Sequence, residues 1–192
     1  MDKLWIIVGK TCSGKTSIVK ELVNRGYEQI VTCTTRPIRE GEVEDVTYHY
    51  LSDEEFQKGI KNGDFIEYTS YNVASGETWY YGTRKSDLVP GKIIILNPAG
   101  LKTLKNSCVD FPYSVIYINS SDDVIRRRLT ERGDNPDEAR RRIQADMSDF
   151  ANIYALANYT ITNNDNVSIK RLAGTVEKII KMEGVYKYGG FN

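Results

Sequence analysis

The chain has 192 residues with 26 Lys and Arg balanced by 26 Asp and Glu, so it carries no global basic field to recruit nucleic acid. That length suits one α/β domain with an inserted lobe and would cramp two large domains. No apolar run approaches the roughly 18 residues needed to cross a bilayer, and the N-terminus leads straight into a strand pattern without a signal peptide; a soluble, cytoplasmic protein is expected.

Leu4-Trp5-Ile6-Ile7-Val8 is a short apolar run suited to a buried strand. Gly9-Lys10-Thr11-Cys12-Ser13-Gly14-Lys15-Thr16 follows and fits the pattern G-x-x-x-x-G-K-[ST]. Ile18, Val19, Leu22 and Val23 then mark one face of a helix. A loop between a strand and a helix N-terminus turns backbone N–H groups inward, and the helix dipole adds positive potential there. Gly9 and Gly14 permit the tight path. In a phosphate loop of this kind Lys15 reaches the β- and γ-phosphates and the Thr16 hydroxyl ligates Mg²⁺. The alternative is an ordinary Gly-rich turn, but the strand and helix on either side favour a nucleotide-phosphate site. Cys12, Cys33 and Cys108 are odd in number and lack C-x-x-C spacing, so neither a disulfide framework nor zinc is indicated. Cys12 could be a small filler in the loop.

Residues 29–33 predict a second short strand, and the polar, Pro/Gly-punctuated stretch 34–43 a loop. Arg36 and Arg39 could fork around one phosphate or be solvated surface charge. A strand is expected over 47–51. Ser52-Asp53-Glu54-Glu55 forms a capping box ahead of a helix with Phe56 and Ile60 on one face. Residues 64–71 and 78–81 predict two strands joined through 74–77. Their tyrosines fit a sheet bearing a planar ligand as well as they fit ordinary strand propensity. Residues 92–96 and 113–118 are strong strand patterns, followed by helical patterns over 98–106 and 121–132; the alternation predicts a parallel sheet. Seven arginines (Arg126, Arg127, Arg128, Arg132, Arg140, Arg141 and Arg142) flank a Gly133-Asp134-Asn135-Pro136 break. They are either the solvated side of two helices or a lid that closes on phosphates. Residues 159–163 predict the last strand, and Leu172, Val176, Ile179 and Ile180 a closing amphipathic helix. The tail 185–192 has no readable role.

In order along nearly the whole chain, these segments resemble the guanylate kinase family. Beside the phosphate loop, the resemblance rests on Thr34-Thr35-Arg36-Pro37 with Arg39, Gly41-Glu42-Val43, Tyr48-His49-Tyr50, Phe65-Ile66-Glu67, Tyr80-Tyr81-Gly82-Thr83 and Arg128-Leu129-Thr130-Glu131-Arg132-Gly133. It implies a P-loop kinase core with a five-stranded parallel sheet flanked by helices over 1–33 and 86–192. It further implies an inserted mixed α/β lobe for the nucleoside monophosphate over 34–85 and a helical lid over about 126–142. Residue by residue, it implies that Gly9, Lys10, Thr11, Cys12, Ser13, Gly14, Lys15, Thr16 and Asn163 bind ATP, with Thr16 on Mg²⁺. Thr32, Arg36, Arg39, Tyr48 and Tyr81 would hold GMP or dGMP, with Glu67 and Thr83 reading guanine and Asn97 nearby. Lys15, Arg36, Arg132 and Arg142 would carry the phosphoryl-transfer chemistry. Partners would be nucleotides alone, with no nucleic acid and no membrane, the protein being a monomer or a homodimer.

Two departures stand out. Where the family usually carries Asp-x-Asp, this chain has Ile95-Leu96-Asn97; Asn97 can still accept a hydrogen bond, Ile95 cannot. The interval from Glu67 to Tyr81 is also about five residues longer than usual for the family, by the same resemblance. Two alternatives remain: a kinase acting on another nucleoside monophosphate or a ribosyl phosphate, and a non-enzymatic scaffold domain of the guanylate-kinase-like type. Arg36/Arg39 beside Glu67/Thr83 argue against the ribosyl case, and the intact loop and lid against the scaffold.

Overall fold

A computed structural model describes residues 3–73, 75–107 and 109–185, the side chains of 184 and 185 excepted. Cys108 and the tail from 186 onward therefore lie outside the described residues. Strand β1 (Leu4–Val8) is buried along its whole length, and its period of two divides the core. Leu4, Ile6 and Val8 pack with Leu101, Leu104, Phe150 and Ile153 on one face. Trp5 and Ile7 pack on the other with Ile18, Val19, Leu22, Leu172 and Val176. A strand covered on both faces has to be apolar at every position, which is why β1 reads as an unbroken hydrophobic run. Helices α1 (Lys15–Asn24) and α7 (Ile169–Val185) cover one side. Helices α3 (Pro98–Asn106) and α6 (Ile153–Leu156) cover the other.

The core sheet runs β6-β1-β7-β8, with β6 (Ile93–Ile95), β7 (Tyr113–Asn119) and β8 (Tyr159–Thr162). All its pairings are parallel. From β1 the chain travels to β6 on one side, then crosses to β7 on the other. The carboxyl end of β1 is thus the switch point where open parallel sheets bind ligands. The expected α/β class holds, but the fifth core strand contracts to one bridge, Gln29 to Ile93. Ile30 N–H donates to the Ile93 carbonyl at 2.8 Å, and the chain then leaves, because Cys33 is committed to the core of a second sheet.

That sheet runs β3-β2-β5-β4, from β2 (Cys33–Thr34), β3 (His49–Tyr50), β4 (Phe65–Asn72) and β5 (Thr78–Arg84). Strand β3 is shorter than expected, since Thr47 N–H bonds back to the Val43 carbonyl at 2.8 Å and holds its start in a loop. Helix α2 (Asp53–Asn62) begins at the predicted capping box, with Ser52 and Glu55 each accepting from the other's backbone N–H. It buries Phe56 against Phe65. Helices α4 (Asp122–Glu131) and α5 (Pro136–Asp149) meet at Gly133, whose φ of 75° suits glycine. Asn135 caps α5 and Pro136 opens it. Ile125, Leu129 and Ile143 pack together with Cys12 of the phosphate loop, so Cys12 is a packing residue there. Among the described residues no helix is long and apolar enough to cross a membrane.

Candidate active site

Residues 9–16 wrap the carboxyl end of β1. Cys12 and Gly14 both have positive φ, 51° and 94°. A side chain on Gly9 would meet the Ile118 carbonyl at 2.5 Å, and one on Gly14 would meet Asn163 Nδ2 at 2.3 Å. Both glycines are therefore required by space, and Gly14 by its backbone angle as well. Lys15 folds into the loop, donating to the carbonyls of Gly9 at 2.5 Å and Lys10 at 2.7 Å. Burial lowers its pKa to about 8 despite the opposing charge of Asp146. The Ser13 hydroxyl is buried with no hydrogen-bond partner among the described residues.

A cavity of about 410 Å³ is lined by Lys15 and Thr16 of this loop and by Tyr48, Glu67 and Tyr81. Arg36, Arg39, Arg132, Arg141 and Arg142 line it too. Their charges bear on one another: burial and then the neighbouring Arg36, Arg142 and Arg132 lower the pKa of Arg39. Five guanidinium groups gathered around one cavity favour an anion of high charge density. Glu67 is 4% exposed. Burial pushes its carboxyl up to about 7, while hydrogen bonds from Thr83 pull it down.

The sequence profile described as guanylate kinase matches residues 1–181. The chain belongs to the guanylate kinase family. It is 32% identical over 183 residues to a guanylate kinase of Clostridium tetani, covering 92% of this chain and 82% of that one. A guanylate kinase of Sulfurimonas denitrificans is 36% identical over 149 residues, 72% of this chain and 69% of the relative. The crystal structure of guanylate kinase from Anaplasma phagocytophilum shares the fold with a TM-score of 0.66 at 21% identity, over 95% of this chain and 86% of that one.

Within this guanylate kinase the expected site residues fall into three sets. Gly9, Thr11, Lys15, Thr16, Thr32, Arg36, Arg39, Tyr48, Glu67, Tyr81, Asn97, Arg132 and Arg142 line the cavity just described. Cys12, Ser13, Gly14 and Asn163 line a second cavity of about 520 Å³ on the other side of the loop. Lys10, also in the loop, turns its side chain to Asp122 and pairs with it at 2.8 Å. Thr83 differs from expectation. It is fully buried, and its hydroxyl donates to Glu67 Oε1 at 2.5 Å, so its proton is directed at the carboxylate. Asn163 is likewise committed: Nδ2 donates to the Ser13 carbonyl at 2.8 Å and Oδ1 accepts from Arg128 at 3.2 Å.

Three further residues shape the site. Glu42 takes both donors of Arg36 Nη2, at 2.8 and 2.9 Å, along with the Tyr50 hydroxyl and the Arg39 backbone N–H. Burial alone would raise the Glu42 pKa, but these donors bring it down to about 2. Arg36, only 3% exposed, is thereby held between Glu42 and the rings of Tyr48 and Tyr50. Glu42 lies in the Gly41-Glu42-Val43 motif, which was its only signal. Asp146 of α5 accepts the Thr11 backbone N–H at 2.7 Å and faces Lys15, joining α5 to the phosphate loop. An acid on an arginine-rich helix reads as surface, so no sequence signal found it. Arg128 donates to the Cys12 carbonyl at 3.1 Å and bonds Asn163 and Asp165, bracing the loop from behind.

Proposed function

We propose that this guanylate kinase family member catalyses ATP + GMP (or dGMP) → ADP + GDP (or dGDP). The observation that carries the reading is one cavity lined by a phosphate loop, a buried carboxylate and five arginines. GMP would lie with its base against Glu67, which accepts from guanine N1–H and the 2-amino group, and with its phosphate among Arg36, Arg39, Tyr48 and Tyr81. Adenine offers no such donor pair and would leave the buried acceptor unpaired, at about 1–3 kcal/mol. An oxygen of the acceptor phosphate attacks the γ-phosphorus, the bond to the β-phosphate oxygen breaks, and ADP leaves. No side chain has to form a covalent intermediate. Lys15, the loop amides, Arg132 and Arg142 stabilise the charge that moves.

The donor set suits Mg²⁺, a hard cation that takes oxygen ligands and keeps several waters. Thr16 would hold it, and the carboxylates of Asp146 and Asp149 line the same cavity. When bound, Mg²⁺ would neutralise charge on the β- and γ-phosphate oxygens. An ADP-release assay over GMP, dGMP, AMP, CMP, UMP and dTMP tests the reading. GMP and dGMP should be the best acceptors of the six; AMP or CMP turning over as fast as GMP would defeat the guanine assignment.

A further inference from the structure

Asn97 is the N-cap of α3, and its Oδ1 accepts the Gly100 backbone N–H at 2.7 Å. That bond holds Oδ1 at the helix N-terminus with one lone pair occupied. Nδ2, a donor, has no hydrogen-bond acceptor among the described residues. Asn97 lines the same cavity as Glu67. The two side chains converge at Gly100, where an added Cβ would stand 2.5 Å from Glu67 Oε2 and 3.4 Å from Asn97 Oδ1. The base end of the cavity therefore offers one buried carboxylate and, beside it, an amide donor. Apolar Ile95 lines the same cavity.

The edge of guanine that Glu67 would read consists of donors only, N1–H and the 2-amino group. Nδ2 of Asn97 adds a third donor to a place already holding two. Hypoxanthine keeps the 6-oxo group and N1–H but carries C2–H where guanine has the amino group. It still gives Glu67 one donor through N1–H, and it brings no second donor against Asn97.

We propose that the pocket formed by Glu67, Asn97 and Ile95 accepts 6-oxopurine nucleotides without demanding the 2-amino group, so that IMP is phosphorylated to IDP alongside GMP. This rests on the guanine-end reading of Glu67 given above. The reaction is the same transfer: an IMP phosphate oxygen bonds to the γ-phosphorus, the bond to the β-phosphate oxygen breaks, and ADP leaves. Asn97 acts on base choice and takes no part in the transfer.

The test measures kcat/KM for GMP, IMP and AMP in the wild-type protein, Asn97→Asp and Asn97→Ser. Asp keeps the helix cap with one oxygen and offers a second acceptor; Ser keeps the cap through its hydroxyl and removes the amide donor. The expected wild-type ratio of GMP to IMP is within about tenfold, the loss of one hydrogen bond's discrimination. Both variants should raise that ratio several-fold, Asp more than Ser, at a thermal midpoint near the wild-type value. A wild-type preference for GMP above about a hundredfold, or a ratio unmoved by either variant, overturns the proposal and leaves the Glu67 reading standing. AMP used as well as both 6-oxopurines overturns the Glu67 reading itself, and this inference with it. Should either variant fail to fold, the wild-type ratio alone decides.

Discussion

Glu67 pairs deep burial with a proposed role that requires charge. Its carboxyl is pushed up to about 7 by burial, and the Thr83 hydroxyl is one of the two bonds that hold it from rising further. Folding therefore stabilises the protonated form. That contribution is fully present below pH about 4.5, the unfolded value, and is lost as pH rises through about 7. Base recognition runs the opposite way, since only the ionised carboxylate accepts two guanine donors. The expected outcome is an acid limb near pH 7 in kcat/KM for GMP, which reports ionisations of the free protein and free substrate. Thr83→Val should move that limb upward, because it deletes a bond that favours the charged form. Ionisation of the GMP phosphate, near pH 6 by its ordinary range, affects both proteins alike. An unmoved limb in Thr83→Val would detach Glu67 from the base. Glu67 was legible in the sequence as an acid in a strand motif. The relay from Thr83 was not, because it depends on which strands pair: Glu67 lies opposite Thr83 in the β4–β5 register, beside a bulge.

Helix α2 shows how local and tertiary terms compete within one element. Its start was legible because a capping box is written in adjacent residues, Ser52 through Glu55. Strands β2 and β3 were misjudged in length because their pairing partners are distant in sequence and their ends are fixed by loop hydrogen bonds. The fifth core strand failed for the related reason that residues 29–33 are shared between two sheets. In α2, Gly59 offers a test. Helix propensity alone favours Gly59→Ala by about 1 kcal/mol. The new Cβ, however, would lie 2.7 Å from the ring of Phe65, which is stacked on Phe56 at 4.4 Å between centroids. Overpacking of a filled core costs about 1–3 kcal/mol, so packing should win. Gly59→Ala should lower the denaturation midpoint of the protein; a rise would show that the Phe56–Phe65 stack can move aside freely.

At the scale of the molecule, the two sheets and the α4–α5 pair enclose a cavity whose arginines are held by acids of their own. Asp134 accepts from both Arg132 and Arg142, and Glu138 from Arg141 and Arg142. Asp146, Asp122 and Arg128 reach across to the phosphate loop, at Thr11, Lys10 and Cys12. The run of arginines was legible as a choice between lid and solvated face, and the shared cavity with Lys15 is what favours the lid. If residues 126–142 act as a lid, phosphates entering that cavity compete with Asp134 and Glu138 for the same guanidinium donors. Charge-assisted bonds to phosphate are the stronger ones, so arginines should exchange partners while the helices stay formed and become harder to open. A bisubstrate analogue joining adenosine and guanosine through phosphates should therefore slow amide hydrogen exchange across 126–142. Exchange in β1 and β7, already the buried centre of the sheet, should change little. Replacing both Arg132 and Arg142 with Ala should remove the slowing at concentrations that still saturate the phosphate loop. Unchanged exchange over 126–142 with the analogue demonstrably bound would assign the arginine run to the solvated surface of two helices.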